Sequence, residues 1–194
     1  MTTTWTIPKL WEGETVAVLA TGPSMSQDVA DALSGHKRIV VNEGYRLAPD
    51  ADMLVAMDGN WPQEYRDFPG MRVTGVKDDD LDAYYIGPRW ERVRLENGAE
   101  VEIHNSGLTA VRIAAAMGAK KIILAGFDGF VPGERIHYYD DEVDTGAYVG
   151  VTIGLKKIIA ELAAQGVTVE RFTAPIEDQK PAFLEQQQHS LAQL

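Results

Sequence analysis

The stretch Val16-Ala17-Val18-Leu19-Ala20-Thr21-Gly22-Pro23-Ser24-Met25 decides the fold class. Its apolar run stops at turn-forming residues, which predicts a strand buried on both faces, as parallel strands are. Ser24 followed by Gln27 forms a capping-box pattern, which predicts a helix over about 25–33 with Ser24 as its N-cap. Such a junction directs unpaired N–H groups and the positive end of a helix dipole at one place, which suits a phosphate. It also occurs at ordinary strand-to-helix turns, and neither the dinucleotide fingerprint nor the Walker loop is present.

The composition limits the class of protein. A length of 194 residues predicts one domain over 1–194, large enough to bury a core without disulfides. The chain has no cysteine, which excludes disulfides, thiolate nucleophiles and cysteine-ligated zinc. No segment has the length of a membrane span and no signal-peptide pattern is present, so we expect a cytoplasmic protein. The net charge of -11 disfavours nucleic acid as a partner without excluding it, and a homo-oligomer stays open.

Polar residues follow three further apolar runs. Asn42 follows 38–41, Asp58 follows 52–57, and Asp128 follows the run that begins at Lys121. In an open parallel sheet, residues just beyond the carboxyl ends of the strands line the ligand crevice. Asn and Asp also favour turns, so each residue alone has a purely structural explanation. Together with Gly22 they indicate a binding crevice.

The second half of the chain repeats the unit of helix and strand. Alternation around Asn97-Gly98 predicts a β-hairpin at 93–103. Asn105 or Ser106 then caps a helix, which gives a second helix N-terminus able to hold an anion. A last helix over 148–165, with Ile153, Ile158 and Leu162 on one apolar face, leads to a final strand at 167–172. The sequence therefore predicts an α/β, Rossmann-like, mostly parallel sheet flanked by helices, with an inserted hairpin near 93–103.

Four segments resemble the bacterial sialyltransferases of glycosyltransferase family 42: the stretch around Gly22-Pro23-Ser24, the strand ending at Asn42, Asn105-Ser106-Gly107 with its helix, and 122–128. They are also similar to the archaeal-type 6-hydroxymethylpterin diphosphokinase-like domains, which share the early Gly-Pro-Ser and the later order of Ser-Gly, helix, strand and Asp. The first resemblance implies a Rossmann-like sheet that binds a CMP-sugar, or another nucleotide-sugar, at the strand ends. It implies a transferase that needs no metal cofactor.

The sialyltransferase resemblance also implies roles for single residues. It places Gly22 and Ser24 beside the nucleotide, Asn42 in contact with it, and Ser106 and Gly107 facing its phosphate. Thr21, Asp58 and Asp128, which lie at or next to strand ends, complete the predicted nucleotide site. Thr21 and Asp58 stand where that family carries asparagine. His137-Tyr138 resembles the family segment that ends in the catalytic histidine, and alignment on it puts the general base at Asp141. Either His137 or Asp141 is therefore the candidate base, and histidine is better matched to neutral pH.

Two alternatives stay open at this point. In a diphosphokinase acting on a small alcohol such as a hydroxymethylpterin, Asp58 and Asp128, joined by Asp141, hold the Mg²⁺ that bridges two phosphates. In a non-catalytic nucleotide-binding protein the same pocket binds without turnover. The segment between Asp128 and Tyr148 is short for a lid, which is compatible with that third interpretation.

Overall fold

A computed structural model describes residues 5–59, 61–87, 92–94, 100–102, 105–128, 133–141 and 149–172. Its strands are β1 Thr15–Leu19, β2 Lys37–Val41, β3 Met53–Ala56, β4 Met71–Thr74, β5 Tyr84–Tyr85, β6 Arg92–Arg94, β7 Glu100–Glu102, β8 Lys121–Ala125 and β9 Thr168–Arg171. Seven of them form one sheet in the order β5-β4-β3-β2-β1-β8-β9. Every pairing within that sheet is parallel. The predicted α/β, Rossmann-like fold is confirmed.

Helices cover both faces of the sheet. They are α1 Gln27–Ala32, a 3₁₀ helix Asn42–Arg46, α2 Gln63–Arg66, α3 Ser106–Ala116 and α4 Val149–Ala164. Val16 and Val18 of β1 belong to the core cluster that contains residues of α3 and α4. Ala17 and Leu19 belong to the cluster that contains residues of α1 and α2. Alternate side chains of a strand point to opposite faces, so the continuous apolar run of β1 serves both layers.

The inserted hairpin is confirmed. Strands β6 and β7 form a separate antiparallel pair, with Val93 opposite Val101. The hairpin lies between β5 and α3 along the chain and adds no strand to the main sheet. The Asn97-Gly98 turn that predicted it lies outside the described residues.

Ser24 is not the N-cap of α1. The helix begins at Gln27, and the hydroxyl of Ser26 accepts the cap hydrogen bond from the Val29 amide at 3.3 Å. The Met25 amide donates to the Gly22 carbonyl at 3.0 Å, so the chain completes a turn before the helix starts. That turn displaces the cap from Ser24 to Ser26.

The predicted apolar face of α4 is partly wrong. Ile153 is 65% exposed, whereas Leu155, Ile158 and Leu162 are buried. These three share one stripe at helical spacing, and Ile153 lies two residues before Leu155, which places it on the opposite side of the helix. Ile153 therefore faces away from the core.

The topology places a crevice at the centre of the sheet. From β1 the chain proceeds outward to β5, and then returns to place β8 and β9 on the other side of β1. Ligands bind beyond the carboxyl ends of the strands at such a reversal of strand order. Among the described residues, no helix combines the length and apolar character required to cross a bilayer.

Candidate functional site

A cavity of about 330 Å³ lies at the carboxyl ends of β1, β2, β3, β8 and β9. Most of the residues predicted for the site line it, namely Thr21, Gly22, Asn42, Asp58, Ser106, Gly107, Asp128 and His137. Ser24 and Asp141 do not line it. The structure therefore brings together residues that are far apart in the sequence, at the edge where the strand pattern predicts a crevice.

Glycine is required at position 22 because the ends of β1 and β8 lie close together. The Gly22 amide donates to the Gly126 carbonyl at 3.0 Å. A Cβ at Gly22 would lie 2.2 Å from Asp128 Oδ2 and 2.4 Å from the Gly126 oxygen, so only glycine fits. The Ser24 amide donates to the same Asp128 oxygen at 3.1 Å. The turn after β1, where the sequence predicts a phosphate, therefore holds a carboxylate of the protein itself.

Thr21 holds His137 in the cavity wall. Thr21 is 8% exposed, and its Oγ1 lies 3.0 Å from Nδ1 of His137. The Thr21 carbonyl also accepts a hydrogen bond from the Tyr138 amide at 2.9 Å. The imidazole stacks on Tyr139 with ring centres 4.9 Å apart. When Nδ1 carries the proton and donates it to Thr21, Nε2 keeps its lone pair and is free to act as a base.

Asn42 lies in a backbone conformation that few residues adopt. Its φ is +47°, a left-handed value that Asn tolerates better than most residues. Its Oδ1 is buried and has no hydrogen-bond partner within the described part of the chain. Such an orphaned acceptor in a cavity wall suits a ligand that donates a hydrogen bond. Strained backbone of this kind is commonest at functional sites.

Two tyrosines hold the segment after Asn42. The Tyr138 hydroxyl donates to the Glu43 carbonyl at 2.7 Å, and the Tyr65 hydroxyl donates to Glu43 Oε1 at 3.0 Å. Burial raises the pKa of Tyr138 above its ordinary value. Burial, and next the charge of Glu43, raise the pKa of Tyr65. Both tyrosines therefore act as neutral hydrogen-bond donors, and Tyr138 couples the histidine segment to the Asn42 turn.

The start of α3 forms the opposite wall. Asn105 is its N-cap, because its Oδ1 accepts from the Leu108 amide at 2.9 Å. Ser106 is 4% exposed, and its Oγ accepts from the Met57 amide at 3.0 Å, which fastens the helix to the end of β3. The residues from Asn105 to Leu108 line the cavity. The first N–H groups of a helix lack intrahelical acceptors, so this end of the cavity suits an anion.

The predicted trio of carboxylates does not form. Asp58 and Asp128 line the cavity, whereas Asp141 lies outside it, with a side chain 98% exposed and 3.7 Å from the Arg135 guanidinium. Across the described ranges, no three His, Cys, Asp or Glu side chains are grouped so that they could hold a metal ion. A Mg²⁺ ion held by Asp58 and Asp128 would need phosphate or water oxygens to complete its coordination.

Two lining residues are absent from the sequence prediction. Arg171 ends β9 and is exposed, and none of the salt bridges in the part of the chain that the structure describes involves it. Thr152 lies near the start of α4, with its Oγ1 buried and likewise without a partner among those residues. The rule that places Asn42 and Asp128 at strand ends applies equally to Arg171, and it would have found that residue. Nothing in the helical pattern of α4 distinguishes Thr152.

Comparison with models of known protein families and with curated proteins found no match for this chain. The function must therefore be argued from the fold and from the side chains of the cavity.

Proposed function

We propose that the protein is a nucleotide-dependent group transferase, specifically a glycosyltransferase that uses a CMP-type or other nucleotide-sugar donor. The observation that carries this proposal is His137, held by Thr21 in the same cavity as the capped start of α3. A titratable base and an anion-binding helix end are the two groups that transfer from a phosphorylated donor requires. The volume of about 330 Å³ lies within the range of small-molecule sites.

The residues divide the reaction between them. Nε2 of His137 takes the proton of the acceptor hydroxyl while that oxygen forms a bond to the anomeric carbon of the donor sugar. The bond between that carbon and the phosphate oxygen breaks, and its electron pair leaves with the nucleotide. The N–H groups at the start of α3 stabilise the charge on the leaving phosphate. Asn42 accepts a hydrogen bond from the bound nucleotide through its unpartnered Oδ1.

Asp58 and Asp128 support a second candidate, because both carboxylates line this cavity. In a diphosphokinase acting on a small alcohol such as a hydroxymethylpterin, they would hold Mg²⁺, which supplies charge neutralisation between phosphates. His137 would then accept the proton of the attacking alcohol. The first candidate is preferred because His137 and the start of α3 line the same cavity and supply a base and an anion site without a metal ion.

Nucleotide binding is the first test. We expect CMP or CDP to raise the thermal midpoint without metal, because a ligand bound only by the folded state stabilises it. Binding of CTP only with Mg²⁺, and its loss with EDTA, would instead favour the diphosphokinase. The absence of any shift with cytidine, uridine, guanosine or adenosine nucleotides at millimolar concentration would refute both candidates.

Turnover is the second test. His137→Gln should keep nucleotide binding and lower the release of CMP from a CMP-sugar by about 10²- to 10⁴-fold, the usual contribution of a general base. His36→Gln is the matched control, since His36 is exposed and lines no part of this cavity. Binding without turnover in the unaltered protein would identify a non-catalytic nucleotide-binding protein. Equal turnover in the His137 variant and the control would exclude His137 as the base.

A further inference from the structure

The cavity has a second polar end, formed by Arg171 and Thr152. Arg171 is the last residue of β9, an edge strand of the described sheet. Thr152 lies in the first turn of α4, which packs against β9. Both line the cavity, with Val151 and Leu155 as apolar neighbours. This end therefore combines a cation, a hydroxyl and an apolar wall.

The strand order places Ser106 and Arg171 on opposite sides of β1. Ser106 fastens α3 to the end of β3, and β3 and β9 lie on opposite sides of β1. Each is two strands from β1, so each lies about 10 Å from it at ordinary strand spacing. Thr21, which holds His137, follows β1 directly. Along the order of the strands, Thr21 therefore lies between Ser106 and Arg171. Helices α3 and α4 meet between these two residues, where a Cβ at Gly154 would lie 2.9 Å from Leu108 Cδ1.

The chemistry of the second end favours an anion. The Arg171 guanidinium donates hydrogen bonds in a planar fork that matches a carboxylate or a phosphate. None of the salt bridges within the described residues involves it, and the buried Thr152 Oγ1 has no hydrogen-bond partner there. Buried polar atoms in native structures are nearly always paired, so Thr152 is expected to be paired in the liganded protein. The start of α4 adds the positive end of a second helix dipole.

We propose that Arg171 and Thr152 form the acceptor subsite, and that the acceptor carries an anionic group, a carboxylate or a phosphate monoester. The anion pairs with Arg171, a neighbouring hydroxyl bonds to Thr152, and the hydroxyl that reacts lies near Nε2 of His137. The division into donor and acceptor ends rests on the proposed glycosyl transfer. Binding of an anion by Arg171 can be measured whether or not the protein transfers a sugar.

Binding of matched saccharides tests this assignment. The probes are galactose, galacturonate and galactose 6-phosphate, measured by calorimetry and ligand-observed NMR on the full chain, with and without saturating CMP. We expect one of the two anionic sugars to bind about 10- to 100-fold more tightly than galactose, the range for a hydrogen bond to a charged group. The preferred probe distinguishes a carboxylate from a phosphate.

Variants test whether the preference for an anionic sugar arises from Arg171 and Thr152. Arg171→Ala should abolish the preference for the anionic sugar, Arg171→Lys should keep part of it, and Thr152→Val should weaken all three probes without removing the preference. Lys157→Ala is the matched control, because it removes one positive charge from an exposed position of α4 outside the cavity. None of these substitutions should change the affinity for CMP.

The outcomes separate the two proposals. The acceptor subsite is overturned if the protein binds CMP but shows no preference for either anionic sugar, or binds neither of them. That result leaves the transferase proposal intact. Weaker CMP binding in Arg171→Ala but not in Lys157→Ala also overturns the acceptor subsite, because Arg171 would then contact the donor phosphate. Anion binding through Arg171 in a protein that binds no nucleotide supports the subsite and refutes the transferase.

Discussion

Replacement of Gly22 by alanine should destabilise the fold and the cavity together. The added Cβ would lie 2.4 Å from the Gly126 backbone oxygen, whereas ordinary contacts begin near 3.4 Å, so the two strand ends must separate by about 1 Å. That movement strains the core and disturbs the hydrogen bond from the Gly22 amide to Gly126. Overpacking of about 1–3 kcal/mol and one hydrogen bond of about 1 kcal/mol predict a loss of about 2–4 kcal/mol in the free energy of unfolding.

Urea unfolding followed by circular dichroism measures this loss. Gly35→Ala is the matched control, because a Cβ at Gly35 meets no atom within 4 Å. Gly22→Ala combined with Asp128→Ala should recover only part of the stability, since the contact with the Gly126 oxygen persists. If Gly22→Ala and Gly35→Ala cost the same small amount, the close approach of β1 and β8 described above is wrong.

Three further predictions concern single contacts. Ser26→Ala should cost about 1 kcal/mol in urea unfolding through loss of the α1 cap, whereas Ser24→Ala should be nearly neutral because Ser24 contacts Asp128 through its amide. Ser106→Ala should cost about 1–3 kcal/mol in the same assay, because it leaves the buried Met57 amide without an acceptor. Burial raises the pKa of Tyr65 and Tyr138, so the folded state favours their neutral forms. Their contribution to stability should be complete below about pH 10, where unfolded tyrosine ionises, and should fall as pH rises above it. Tyr65→Phe should make alkaline unfolding less steep, and an unchanged slope would contradict the burial argument.

The fold was predictable because its strands carry a strong local signal. β1 and β3 are continuous apolar runs, and their burial on both faces follows from helices above and below the sheet. The N-terminal boundary of α1 was harder to predict, because Ser24 and Ser26 are equally good N-caps by residue type. Only the turn between Gly22 and Met25 selects Ser26.

The cavity was predictable in part. Asn42 and Asp128 were found because polar residues at strand ends converge in a parallel sheet. The pairing of Thr21 with His137 joins residues 116 positions apart, and no local pattern encodes such a contact. Asp141 was misplaced relative to the cavity because two residues of loop are enough to redirect a side chain from the cavity wall to solvent.

The position of β1 between β2 and β8 has a consequence for biosynthesis. While the chain is being made, β1 can pair with β2 early, but its other edge stays open until β8, about a hundred residues later, leaves the ribosome. The contacts of Gly22 with Gly126 and of Thr21 with His137 form later still. We therefore expect nascent chains that end before β8 to expose the unpaired edge of β1, which is prone to aggregation, and to bind no ligand. A ligand that bridges the two halves would stabilise the finished fold as a whole.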